Sequence, residues 1–283
     1  MFFGALLALT LSNPPSPNWE LVVLGIAQDA GIPHLGCDKP PCTDIRAGKR
    51  KPEKVSCLGL RDKTTGKNYL FDATPDIVAQ LGKLNGGKVP DGTFLTHAHM
   101  GHYSGLLYYG RESVGAKLAP VYGSRRMERF LKSNDPWRFL ITNAHVGFQA
   151  LEPDQPIDLG NGVKVTPFLV PHRDEFTDTF GYRIEGPRRK VVFIPDIDRW
   201  EKWDLSIRKM ADENDLLLLD GTFSTPEEIG RRNIDEIPHP MIPATRALLK
   251  GSKGKLRFIH INHTNEGLYR DRDIVREGQR FPI

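Results

Sequence analysis

Apolar runs separated by short polar loops recur along most of the chain. Residues 20–26 (ELVVLGI) form one such run and read as a strand buried on both faces. The runs at 163–170, 179–185, 190–194 (KVVFI), 216–219 (LLLL) and 256–261 read the same way. Residues 55–60 and 68–71 read as a strand pair around a Thr-Gly-Lys turn at 65–67, and 93–96 as a short strand. Helical spacing appears over 75–84, where Ile77, Val78, Leu81 and Leu84 share a side, and is also expected over 104–113, 124–132 and 243–249. Strands dominate each half with helices between them, which favours sheets covered by helices. The polar residues of interest fall just past strand ends, where α/β folds place their sites.

One apolar run stands outside this pattern. Residues 2–11 are too few to span a bilayer. They suit a secretory signal or its remnant, a mis-assigned start or a disordered tail, and no Lys or Arg precedes them. Residues 1–18 are therefore left out of the fold, and 19–283 are expected to form a single domain. The expected compartment is cytoplasmic, or periplasmic or secreted if 1–18 are a signal remnant.

Composition narrows the class. The 283 residues are 39% hydrophobic and 26% charged, which suits a globular core and excludes a disordered chain, a collagen or a coiled coil. Lys plus Arg is 39 against 35 for Asp plus Glu, a balance that gives no push toward nucleic acid. Three cysteines cannot form a disulfide framework for this length. Residues 82–88 (GKLNGGK) approximate a phosphate-binding loop, but Val89 stands where Ser or Thr is required.

The chemistry concentrates in histidines. Three of the nine fall in His97-Ala98-His99-Met100-Gly101-His102. At an extended strand end the side chains of His97 and His99 point the same way and can hold one ion through two imidazoles. His102 begins the next turn and suits a second ion or a supporting bond. Further candidates follow other strands: Asp72 after YLF, His172 after 163–170, Asp196 after KVVFIP, Asp220 after LLLL, and His260 in Phe-Ile-His-Ile-Asn-His. An Asp after a strand is often only a turn or helix cap. The repeated placement is the stronger sign.

These residues resemble the HxHxDH motif and companion motifs of the metallo-β-lactamase superfamily, over about residue 20 to the end. That resemblance implies a four-layer αββα sandwich with metals at one edge. Within the superfamily the likeness is strongest to the coenzyme PQQ synthesis protein B family and the cyclic-phosphate phosphodiesterases. It is carried by Leu24-Gly25-Ile26-Ala27-Gln28-Asp29-Ala30-Gly31, by 102–107 (HYSGLL) and by 260–265 (HINHTN). Carried over by position, His97, His99 and His172 would hold a first metal, His102 and His260 a second, and Asp196 would bridge them. Asp72 would brace the histidine loop from behind and fix its tautomers. His239, in Ile237-Pro238-His239-Pro240, sits where related phosphodiesterases keep a proton donor, and it also reads as a surface-loop histidine. The motif's Asp position is Gly101 here, so the second ion is expected to be weaker, differently coordinated or absent, and an aspartate introduced there is expected to tighten it.

Relatives also carry a Cys-x-Cys-x-x-Cys loop that binds a structural zinc. Lys39 stands at the middle position, leaving Cys37, Cys42 and His263, with His34 as a fourth candidate. Two free thiols are the alternative. The resemblance implies a metal-dependent hydrolase of a small-molecule ester, lactam or phosphodiester, using a metal-activated water. The expected cofactor is one or two zinc ions, with iron or manganese as alternatives. The competing expectations are a role in PQQ biosynthesis, with oxygen chemistry, and a non-catalytic metal-site carrier.

Overall fold

The computed structural model describes residues 18–230 and 237–283. The segment set apart at the N-terminus lies, except for residue 18, outside the described residues.

Two mixed sheets form the middle of the molecule. The first has seven strands: β1 (Trp19–Gly25), β2 (Cys57–Asp62), β3 (Asn68–Phe71), β4 (Gly92–Phe94), β5 (Ala119–Ser124), β6 (Val146–Leu151) and the C-terminal Arg280–Pro282. The second has six: β7 (Ile157–Gly160), β8 (Val163–Val170), β9 (Thr179–Glu185), β10 (Lys190–Ile194), β11 (Leu216–Asp220) and β12 (Lys255–Ile259). Arg280–Pro282 is then β13, and it pairs antiparallel with β1 at the edge of the first sheet.

The period of two along each strand builds the layers. Leu21 and Val23 of β1 face inward with Leu58, Leu60, Phe71 and Phe94, against Phe180, Tyr182, Ile184 and Phe193 of the other sheet. Aromatic rings cross this interface edge to face, with Phe71 and Phe193 centroids 6.2 Å apart. Val22 and Leu24 face the opposite way, onto Ile77, Leu81 and Leu84 of the helix Ile77–Asn85. Met127 and Leu131 complete that outer layer from the next long helix, Arg125–Ser133. Val192, Ile194, Leu217 and Leu219 face outward on the second sheet, under Trp200, Trp203, Ile207 and Ala211. Helix, sheet, sheet and helix are the expected four layers.

The structure corrects several details. Strands β5, β6, β7 and β13 were not expected, nor were the helices Cys42–Arg46, Trp137–Thr142 and Ile207–Glu213. The helix expected over 104–113 is a single turn at Met100–Tyr103 followed by a 3₁₀ stretch at Ser104–Tyr109. Gly105 lets this stretch pack against the loop after β3. Its backbone packs so closely that a Cβ there would lie 2.1 Å from the carbonyl oxygen of Thr74. Among the described residues no helix is long and apolar enough to cross a membrane.

Candidate metal centre

Parallel pairing brings the chemistry to one edge. β3 pairs parallel with β4, and β10, β11 and β12 run parallel to one another. Asp72, Thr96–His102, Asp196 and His260 follow the C-terminal ends of these strands, and Asp220 is the last residue of β11. His172 follows β8.

Three imidazole nitrogens converge. His97 Nε2 lies 2.8 Å from His99 Nδ1, and His172 Nε2 lies 3.2 Å from the same atom. Asp196 Oδ2 stands 3.4 Å from His97 Nε2 and 3.3 Å from His172 Nε2. A tetrahedral zinc with bonds of ~2.0–2.1 Å would hold its ligand atoms roughly 3.3 Å apart. Burial and the neighbouring His102 push His97 below the ordinary imidazole range, toward the neutral form a ligand needs.

A second set surrounds the other side of Asp196. His260 Nε2 lies 3.6 Å and His102 Nε2 3.9 Å from Asp196 Oδ2. His239, expected either here or on the surface, is nearly buried, with Nδ1 3.2 Å from Asp196 Oδ1 and 2.9 Å from Asp220 Oδ2. Burial opposes a charge on this ring, but the carboxylates of Asp220 and Asp196 raise its pKa to about 10. Burial alone would raise Asp196, and the surrounding imidazoles of His172, His260 and His239 hold it well below the carboxylate range instead.

The supports are specific. Asp72 Oδ2 meets His102 Nδ1 at 2.7 Å, and its Oδ1 accepts from the Thr96 N–H at 2.8 Å. The Thr96 hydroxyl reaches His97 Nδ1 at 3.0 Å. Thr222 Oγ1 donates to Asp220 Oδ1 at 2.6 Å and stands 3.1 Å from His260 Nδ1. Each support engages the ring nitrogen that faces away from the cluster and so fixes which nitrogen faces in. Asp72 and His260 both adopt left-handed backbone, at φ 68° and 62°, a conformation costly for a residue with a Cβ.

The residues fit a metal. Asp29 Oδ1, His102 Nε2 and His260 Nε2 are all buried without a hydrogen bond, and the ligand atoms of these three residues lie within 4.8 Å of one another. Buried polar atoms are ordinarily satisfied, so a cluster of orphans facing one another calls for a cation. Three overlapping groups each bring their ligand atoms within 4.8 Å of one another: His97, His99, His172 and Asp196; Asp196, Asp220, His239 and His260; and Asp29, His102 and His260.

Asp29 and Thr222 were not among the residues the sequence pointed to, and Asp220 was expected only as the end of an apolar run. Asp29 lies in an aperiodic loop with no histidine beside it. It falls four residues past the end of β1, so no strand end marks it. A cavity of about 520 Å³ opens beside it, walled by Gln28, His34, Lys39 and His263. The cysteine loop forms another wall. Cys42 is buried and its sulfur accepts from the His34 N–H at 3.3 Å, while the His34 and His263 rings stack at 4.3 Å. Cys37, Cys42 and His263 are not among the groups whose ligand atoms come within 4.8 Å.

A two-sheet sandwich with a His/Asp cluster at one edge defines a metallo-β-lactamase fold, and the family described as "Beta-lactamase superfamily domain" matches residues 67–261, so the chain belongs to it. It is similar to the coenzyme PQQ synthesis protein B of Methylobacterium sp. strain 4-46, 25% identical over 288 residues, covering 91% of this chain and 94% of that one. The zinc-bound PqqB structure from Methylobacterium extorquens superposes with a TM-score of 0.78 at 20% identity, covering 93% of this chain and 100% of the other. A diphosphatase of the PhnP family superposes at 0.69 with 23% identity, covering 94% and 97%.

Proposed function

We propose that the protein is a zinc-dependent hydrolase of a small ester, lactam or phosphodiester. The observation that carries this reading is the convergence of His97 Nε2, His99 Nδ1, His172 Nε2 and an Asp196 oxygen, linked by contacts of 3.4 Å or less. Neutral imidazoles with one carboxylate suit zinc. PqqB from Methylobacterium extorquens, which shares this fold, is a zinc-bound protein.

A bound zinc would lower the pKa of a coordinated water and polarise a carbonyl or phosphoryl oxygen. His97, His99 and His172 would hold the first ion, His102 and His260 the second, and Asp196 would bridge them. Asp72 and Thr222 orient the rings. His239 is the proton donor to the leaving group. Its Nδ1 is taken by Asp196 and Asp220, which leaves Nε2 as the nitrogen that can give a proton. A cation on Asp196 would weaken that carboxylate's pull on His239 and leave Asp220 as the partner that keeps the ring protonated.

Elemental analysis of protein purified without added metal, paired with turnover of generic ester, lactam and phosphodiester substrates, tests this. Zinc and turnover are expected together, and His97→Ala/His99→Ala should lose both. Persistent turnover in that variant, or a metal-free native protein, overturns the reading. The similarity to coenzyme PQQ synthesis protein B over 91% of the chain supports a second reading, a step in making that coenzyme. Iron in place of zinc, with no hydrolysis, would favour it.

A further inference from the structure

The second half of the cluster has a gap in its motif and a carboxylate in the corresponding space. We propose that Asp29 is the carboxylate ligand of the second metal, reaching it from the loop after β1 where Gly101 supplies no side chain. The proposal rests on the metal-centre reading above and adds to it a ligand from outside the histidine motif.

The placement is close. Asp29 Oδ1 lies 3.3 Å from His102 Nε2, and its ligand atom lies within 4.8 Å of those of both His102 and His260. Asp29 Oδ1, His102 Nε2 and His260 Nε2 are all buried without a hydrogen bond.

Gly101 and Asp29 exclude each other's side chains. A Cβ at Gly101 would lie 2.6 Å from Asp29 Oδ1, about the separation of Cβ and carboxylate oxygen within a single aspartate. The Asp29 carboxylate therefore reaches the place where a carboxylate on residue 101 would sit. The same Cβ would meet Asp29 Cα at 2.5 Å and the Asp29 carbonyl oxygen at 2.9 Å. These are backbone atoms that cannot swing aside, so Gly101 is what lets the loop approach. On this assignment an aspartate at 101 would not tighten the second ion, contrary to the expectation from the motif alone. It would push away the carboxylate already there.

The loop is held in place for this task. Ala27 forms parallel bridges with both Val55 and Ile261. Gln28 N–H donates to the Ile261 carbonyl at 3.0 Å, and Ile261 N–H to the Ile26 carbonyl at 2.7 Å. Ile261 is the neighbour of His260, so Asp29 and His260 are registered against each other by main-chain bonds. A simple ion pair with His102 does not account for the arrangement. Asp72 already engages His102 at Nδ1, at 2.7 Å. Two carboxylates on one buried imidazole leave excess negative charge, which a cation at the free Nε2 side offsets.

Zinc content and calorimetric zinc titration of the native protein, Asp29→Asn and Gly101→Ala test the assignment, with thermal unfolding of each apo form as the check on folding. Both variants should bind one zinc fewer per chain, or bind the weaker ion about tenfold or more less tightly, with the first ion unchanged. Gly101→Asp should show the same deficit. An Asp29→Asn protein that keeps the native zinc count and affinities overturns the proposal and leaves the hydrolase reading standing. A native protein with no zinc sinks that reading itself. If Gly101→Ala fails to fold, Asp29→Asn alone decides.

Discussion

His260 shows how much one residue's setting decides. Its backbone is left-handed, its Nδ1 faces the Thr222 hydroxyl, and its Nε2 is left to point at Asp196. Thr222 is also tied to Asp220, so one hydroxyl sets both a ring and a carboxylate. Thr222→Val should weaken zinc binding by ~10–100-fold and cost about 1–3 kcal/mol of stability. Competition with a chromophoric chelator and denaturant unfolding would measure the two. No local pattern marks Thr222, because its role depends on strands β11 and β12 lying side by side. His97, His99 and His102 were legible since their spacing is itself the signal. Asp72, Asp196 and His260 could be picked out because each ends an apolar run. Asp29 could not, since what identifies it is the absence of a side chain at a residue 72 positions away.

Among the elements, legibility followed burial and length. Strands β8, β9 and β10 match their apolar runs in full, being interior strands of the second sheet. β5 (APVYGS) contains a proline and a glycine, and β6 (VGFQAL) is only half buried. Both are made strands by the parallel pairing of β5 with β4 and with β6, which no short window reports. β13 is three residues long and depends on β1. That edge has a charged clasp. Glu20 of β1 is buried against Arg61 of β2, Lys63 at 2.6 Å and Arg280 of β13 at 3.5 Å. Burial would raise the Glu20 pKa, but the bonds to Lys63 and Arg61 outweigh it and lower it. A carboxyl depressed in the folded state lends stability above its unfolded pKa and loses it as pH falls through the folded value. Glu20→Gln should therefore cost roughly 0.5–1 kcal/mol near neutrality, discounted for the exposed ends of its partners. Thermal unfolding across pH should show native and variant converging as pH falls below the ordinary glutamate range, and a constant gap would refute the clasp.

At the scale of the whole molecule, the metal site is where the two sheets meet. Asp72 and the histidine motif come from the first sheet, and His172, Asp196, Asp220 and His260 from the second. The Phe180 N–H donates to the Thr96 carbonyl across the gap at 3.0 Å, and the Tyr182 hydroxyl to the Leu95 carbonyl. An ion held by ligands from both layers binds only the assembled fold, so occupancy adds to stability by mass action. Chelation should lower the melting temperature and added zinc restore it.

Ala27 gives this a sharper form. One short stretch of main chain is stitched to residue 55, just before β2 of the first sheet, and to residue 261, just after β12 of the second. It acts as a rivet through both plates, with a ligand candidate two residues beyond it. Parting the plates and dropping the ions should then be a single event. On slow heating, zinc captured by a dye should rise along the same sigmoid as the loss of circular dichroism, and release well ahead of melting would mean the rivet does not hold.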